Sequence, residues 1–133
     1  MKPFSLEIVT PDGLLFSDMV ESLLVRTDDG DVEILAGHAD FLAGLGIGRA
    51  RLIVNRQRRY ASVAGGFISV RRGEVKLVAT TLEFAENIDR ERALLAKERS
   101  EAALAASAGT RDINLARAKL ARALNRIKVS ELL

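Results

Sequence analysis

Along the first 79 residues, apolar and polar positions alternate with a period of two, as in Phe4-Ser5-Leu6-Glu7-Ile8 and Val75-Lys76-Leu77. Beyond Ala93 the apolar residues recur at intervals of three and four, the repeat of a helix with one packed face. The stretch Thr80 to Ala93 is where the period changes, so two modules meet there. On the strand side, short runs at Phe4–Val9, Leu14–Phe16, Val20–Val25, Val32–Leu35, Ala50–Val54, Tyr60–Val63, Phe67–Val70 and Val75–Ala79 are separated by turn signals. Those signals are Thr10-Pro11-Asp12-Gly13, Asp28-Asp29-Gly30-Asp31, Asn55–Arg59, Gly65-Gly66 and Arg71-Arg72-Gly73. Such spacing predicts a β-sandwich or barrel of about ten short antiparallel strands.

After the junction, Arg90 to about Ala106 is built from Ala, Leu, Glu, Lys and Arg, with no Pro or Gly until Gly109, and is predicted to be one helix. Asn87 or Asp89 can cap it, with Glu91 in the first turn where a negative charge suits the helix dipole. Ser107–Thr110 is a break, and Asp112 a candidate cap for a second helix with Ile113, Ala116, Leu120, Ala123, Leu124 and Ile127 as its apolar stripe. On a helical wheel Arg122 and Arg126 share a face, with Lys119 near them, opposite Leu120, Leu124 and Ile127. The predicted architecture is thus a sandwich module at 1–86 and a helical hairpin at 87–133.

Charge sharpens this division. Residues 1–86 hold 10 Lys and Arg against 12 Asp and Glu, whereas residues 87–133 hold 10 against 6, so the hairpin is the basic half of a chain with net charge +2. The absence of Cys excludes disulfides and thiolate metal sites, and one histidine, His38, cannot build a histidine cluster. The start Met1-Lys2-Pro3-Phe4 carries no apolar run of signal-peptide length, and no stretch approaches the roughly 20 apolar residues of a membrane span. Association with a membrane is therefore expected only through a partner.

Other chemistries are thinly supported. His38 beside Asp40 lacks a nucleophile in a strand-to-helix elbow and a third triad member. Gly44-Leu45-Gly46-Ile47-Gly48 does not have dinucleotide-binding spacing and reads as a bent strand edge. Arg56-Gln57-Arg58-Arg59 has a single aromatic neighbour, Tyr60, in a net acidic module, so it reads as a solvated hairpin tip and nucleic acid is not an expected partner. The basic hairpin face supports two readings: a solvated outer face, or a stand-alone interaction module that binds an acidic partner.

One series of motifs extends over practically the whole chain. Ile8-Val9-Thr10-Pro11-Asp12-Gly13, Gly30-Asp31-Val32-Glu33-Ile34-Leu35, Gly37-His38-Ala39, Gly65-Gly66-Phe67 and Ile88-Asp89 resemble, in order and spacing, the epsilon subunits of F-type ATP synthases. Two positions depart from the family pattern: Asp40 stands where Pro is usual, and Glu33 where Gly is frequent. The form Gly-His-Ala-Asp-Phe-Leu resembles a divergent, in part sodium-driven group, which leaves the coupling ion open between proton and sodium.

The resemblance implies a non-catalytic subunit of the rotating central stalk, peripheral on the cytoplasmic face of a bacterial cell membrane. Its sandwich would bind the gamma subunit and the ring of c subunits, with the ring contact at Asp28, Asp29, Asp31, Glu33 and His38. The helices would regulate ATP hydrolysis, meeting the alpha and beta subunits when extended. No cofactor is required on this reading. ATP is a candidate regulatory ligand, because Ile88-Asp89-Arg90-Glu91-Arg92-Ala93 matches the Ile/Leu-Asp-x-x-Arg-Ala pattern of family members that bind it. By the same resemblance Glu83, Ile88, Asp89, Arg92, Ala93, Arg99, Arg122 and Arg126 line up with that site.

Overall fold

In a computed structural model, which describes residues 2–133, the chain forms two compact units that divide between Phe84 and Ala85. The first contains eight strands: β1 (Phe4–Thr10), β2 (Gly13–Val20), β3 (Ser22–Thr27), β4 (Gly30–Ile34), β5 (Phe41–Gly44), β6 (Ile47–Val54), β7 (Gln57–Arg71) and β8 (Glu74–Phe84). Their order is β2-β1-β8-β7-β6-β3-β4, and β5 also pairs with β7. The alternation seen in sequence fills the sandwich core: Leu6, Ile8, Val20, Leu23, Val25, Ile34, Leu52, Ile68 and Leu77 are all fully buried. Burying each such side chain contributes roughly 1.5–3 kcal/mol, which makes this core the main source of the unit's stability.

The long strand β7 lets the sheet serve two layers. β6 pairs with its residues 57–64 and β5 with its residues 67–70, both on the edge opposite β8. Between these two segments lie Gly65 and Gly66, at φ +77° and +111°. The sequence suggests a turn here, but the ladder to β8 keeps its register across the pair, from Ala64↔Thr81 to Gly66↔Ala79. The glycines therefore bend a strand without ending it, and two expected strands become one. A reverse correction falls at Glu21, which splits the expected Val20–Val25 strand: its N–H donates to the Ile53 carbonyl at 2.7 Å. Not every pair is antiparallel. β1 runs parallel to β8, from Leu6↔Val75 to Val9↔Val78, a long-range pairing that local periodicity does not encode.

The second unit begins with a 3₁₀ turn at Ala85–Asn87 and continues as α1 (Arg90–Ala106) and α2 (Thr110–Ser130). Asp89 caps α1, its carboxylate accepting the Arg92 N–H at 3.1 Å. The cap of α2 is Gly109, not Asp112. The helix starts three residues before the expected position, at Thr110, which moves Asp112 into the first turn, where its charge still favours the dipole. The helices pack as an antiparallel hairpin whose open end carries an ion pair between Arg90 and Glu131 at 2.9 Å.

The hairpin's buried positions are small: Ala93 and Ser100 on α1, Ala116 and Ala123 on α2, with Val129 the largest. Leu94, Leu95 and Leu115 are exposed, and Leu124, expected in the packed stripe, is 36% exposed. No helix among the described residues is long and apolar enough to cross a membrane.

Candidate functional site

Two groups of candidate residues fall in different units. In the hairpin, the Arg90–Glu131 pair closes the open end, and a shallow depression bordered by Ala103, Ala106, Asp112 and Ala116 lies near the turn. With the turn joining Ala106 to Thr110, and Ala93 and Ser100 of α1 buried with Ala123 and Ala116 of α2, Arg92 comes within about 3 Å along the axis of the levels of Arg122 and Arg126, and Arg99 lies about 8 Å from that of Arg122.

The azimuth of these residues follows from which positions are buried. With Ala93 and Ser100 of α1 facing Ala116 and Ala123 of α2, Arg92 and Arg99 lie about 100–120° from the seam on α1. Arg122 and Arg126 lie about 80–120° from it on α2, and because the helices are antiparallel both pairs come to the same side. Lys119 and, near the turn, Asp112 fall on that side too, closer to the seam, while Glu131 does not. The fold thus gathers Arg92, Arg99, Arg122 and Arg126 into one cationic stripe. On the sequence wheel Arg122 and Arg126 stand opposite the packed face, but in the hairpin both are half-buried and flank the seam. Arg92 and Arg99 are exposed, Ala93 is fully buried, and Ile88 is half-buried with its N–H on the Ala85 carbonyl at 3.3 Å. Glu83 belongs to the other unit, in β8 opposite Ser62.

In the sandwich, Asp28 and Asp29 form the β3–β4 turn. Buried Thr27 organises it: its hydroxyl donates to the Gly30 carbonyl at 2.7 Å and accepts the Asp29 N–H at 3.2 Å. The Asp28 N–H donates to the Gly44 carbonyl at 3.0 Å, and the Asp28 carboxylate fills the space a Cβ at Gly44 would occupy. This explains one glycine of the Gly44–Gly48 run, and the Arg26 side chain, lying against Gly48 in the same way, explains another.

Asp31 and Glu33 point from β4 to cross-strand cations, Asp31 to Arg26 at 3.3 Å and Glu33 to Arg51 at 3.0 Å. Sequence reasoning passed over Arg26 and Arg51. The β3–β4 pairing signals the first, since Arg26 stands opposite Asp31. His38 lies in the β4–β5 loop, its N–H on the Leu35 carbonyl at 3.2 Å, its Nδ1 2.7 Å from the Ala39 carbonyl and its ring edge-on to Phe41. β4 separates this loop from the acidic turn by about 13 Å, four residue steps of strand, so the two form opposite ends of one strand and not one cluster.

Reversal of Asp31 and Glu33 to Lys is therefore a test of both charge and pairing. Each exposed pair contributes roughly 0.2–1 kcal/mol to stability, so the double reversal is expected to cost no more than about 2 kcal/mol in a urea titration. It also places Lys against Arg26 and Arg51, and a loss as large as that of a core truncation would show that the pairs are structural.

Comparison with known proteins bears on both units. The family model of the β-sandwich domain of the ATP synthase delta/epsilon chain matches residues 3–85, and that of its long α-helix domain matches residues 86–131. The chain belongs to this ATP synthase delta/epsilon family. Among its relatives are proteins named ATP synthase epsilon chain from Bacillus velezensis, 43% identical over 130 residues (98% of each chain), and from Caldicellulosiruptor bescii, 39% identical over 131 residues (98% of this chain and 96% of that one).

The fold recurs in a structure of the Euglena gracilis mitochondrial ATP synthase, at TM-score 0.83 and 22% identity, covering 98% of this chain and 82% of that one. It recurs also in the central stalk and c-ring of the Tetrahymena thermophila enzyme, at TM-score 0.70 and 11% identity, with 95% of each chain covered. As a member of this family the chain is a part of the ATP synthase complex, and the stand-alone module reading gives way.

Proposed function

We propose that this chain is the epsilon subunit in the central stalk of a bacterial ATP synthase: a non-catalytic rotor part that transmits rotation through its sandwich and regulates ATP hydrolysis through its helices. The observation that carries this reading is the match of both family models, in order, along a chain that relatives of the same name cover almost end to end. The sandwich is suited to the load. Its core is continuous across β1, β3, β6, β7 and β8, and a close-packed interior transmits strain without repacking. Its partners on this proposal are gamma and the c-ring, met at the β3–β4 turn with Asp28 and Asp29, at Asp31 and Glu33 of β4, and at the loop with His38. Alpha and beta are met by the extended helices, and the membrane is reached only through the complex, on its cytoplasmic face.

ATP is the proposed regulatory ligand of the hairpin. The cationic stripe supports this: Arg122 and Arg126 can present charge-assisted donors to phosphate oxygens, and Arg92 and Arg99 can add theirs from α1. Asp89 spends one carboxylate oxygen on the α1 cap and keeps acceptor capacity for the adenine amino group.

A chain ending at residue 87 separates the two roles. It retains all eight strands, so it is expected to fold, to bind gamma as the full chain does, and to leave ATP hydrolysis by the reconstituted complex unchanged or raised. A pull-down with gamma and the c-ring checks this, and loss of gamma binding on removing residues 88–133 alone would assign the main assembly interface to the helices.

A further inference from the structure

The β4–β5 loop and the β7–β8 turn are distant in sequence, yet one hydrogen bond joins them. Asp40 Oδ1 accepts the backbone N–H of Arg72 at 2.9 Å, across 32 residues. The acceptor is placed at a demanding point. Arg72 and Gly73 are the two central residues of the β7–β8 hairpin, between Arg71 and its partner Glu74, and both have positive φ, +51° and +80°. A two-residue turn of that kind matches the twist of the strands but strains a side-chain-bearing residue such as Arg72. A carboxylate bonded to the N–H of that residue strengthens the turn and at the same time fixes the loop from which it comes.

The loop is held from its own side as well. His38 donates its N–H to Leu35, its ring contacts the Ala39 carbonyl and the edge of Phe41, and Phe41 starts β5 opposite Val70. Between these anchors only Asp40 reaches, in the described contacts, to the β7–β8 turn. At this end of the sandwich Leu42 is 72% exposed, Leu35 43%, and Arg71 and Arg72 are exposed beside them. A proline at position 40 has no side-chain acceptor and could not make this bond.

We infer that Asp40 is a positioning residue: its carboxylate pins the His38 loop to the β7–β8 turn, so that His38 and Leu42 are presented together with Arg71 and Arg72 as one preformed contact surface. The inference rests on the proposal that the His38 loop meets the c-ring. Preforming the surface removes the cost of ordering the loop on binding, and its loss appears mainly as faster dissociation.

The test uses the full chain with Asp40→Ala, Asp40→Asn and His38→Ala, measuring amide hydrogen exchange of Arg72 in the free protein and dissociation from a complex of gamma and c-ring. Asp40→Ala is expected to speed Arg72 exchange about tenfold and dissociation several-fold, the order of one lost hydrogen bond. Asp40→Asn retains the Oδ1 acceptor and is expected to preserve both within about twofold. Unchanged Arg72 exchange in Asp40→Ala would overturn the clamp. Faster exchange with unchanged dissociation would overturn the positioning role, and His38→Ala then separates the two readings: if it weakens binding, only the role of Asp40 fails, and if it does not, the ring contact itself lies elsewhere. Asp40→Asn behaving as Asp40→Ala would also overturn the inference, because the acceptor would then not be what matters.

Discussion

Gly66→Ala is expected to lower the stability of the sandwich by about 3–4 kcal/mol, the combined scale of positive-φ strain and an overpacked core site. At φ +111° an L side chain is strained before any contact is considered, and here a Cβ would overlap the Val78 carbonyl oxygen, with the Ala79 Cα at 2.8 Å. The obstacle is backbone on the paired strand and cannot swing away. Gly66 is also held from its other edge, where its carbonyl accepts the Leu45 N–H at 2.9 Å, so a shift that relieved β8 would break the β5–β6 connection. Gly65→Ala meets only the Thr80 side chain, its rotatable hydroxyl at 3.0 Å and its Cβ at an ordinary 3.4 Å, and Gly73→Ala meets nothing within 4 Å. These two are expected to cost about 1–2 kcal/mol each, mainly from φ. Urea midpoints of the three variants rank them, and a Gly66→Ala midpoint no lower than that of Gly73→Ala would show that the bend is not locked by its neighbours.

That bend also marks where the sequence stops being sufficient. Alternation placed the core strands because they bury one face, and Leu6, Ile8, Leu23, Val25, Ile68 and Leu77 are inward where the period puts them, whereas β5, which buries no residue fully, is not among the expected strands. A Gly-Gly pair, however, carries the same local signal whether it ends a strand or turns it, and the deciding contact is with Val78, 12 residues away. The parallel pairing of β1 with β8 is invisible for a similar reason, since it joins residues about 69 apart, from Leu6 to Val75.

The helices were easier to read. A strong cap at Asp89 and a run of good helix formers fix α1 locally. The wheel of α2 alone made the arginines look solvated. Only the partner helix reveals that Arg122 and Arg126 flank a seam and share a side with Arg92 and Arg99. For the acidic residues, their identity was legible but not their state: Asp31 and Glu33 are tied to Arg26 and Arg51, and Asp28 is seated on Gly44, all through cross-strand neighbours.

Titration of the full chain with ATP is expected to show saturable binding that depends on the cationic stripe and not on net charge. Arg126→Ala, which removes a half-buried donor at the seam, is expected to weaken ATP at least tenfold, and Arg92→Ala, which removes an exposed one, somewhat less. Arg117→Ala deletes the same charge about 100° to the other side of Ala116 and is expected to leave the affinity within about twofold. The consequence for regulation follows from how the hairpin is packed. Apart from Val129 its fully buried positions are alanines and a serine, so modest apolar area opposes separation of the helices, while leucines wait on the outside for another surface. A ligand that requires arginines from both helices binds the closed hairpin alone, and it shifts the equilibrium by its full differential affinity, RT ln(1 + [ATP]/Kd). Hydrolysis by the reconstituted complex should then be relieved as ATP rises, and Arg126→Ala should need more ATP for the same relief. Absence of saturable binding at millimolar ATP, or equal weakening by Arg117→Ala and Arg126→Ala, would reduce Asp89 to a helix cap and the stripe to a solvated face.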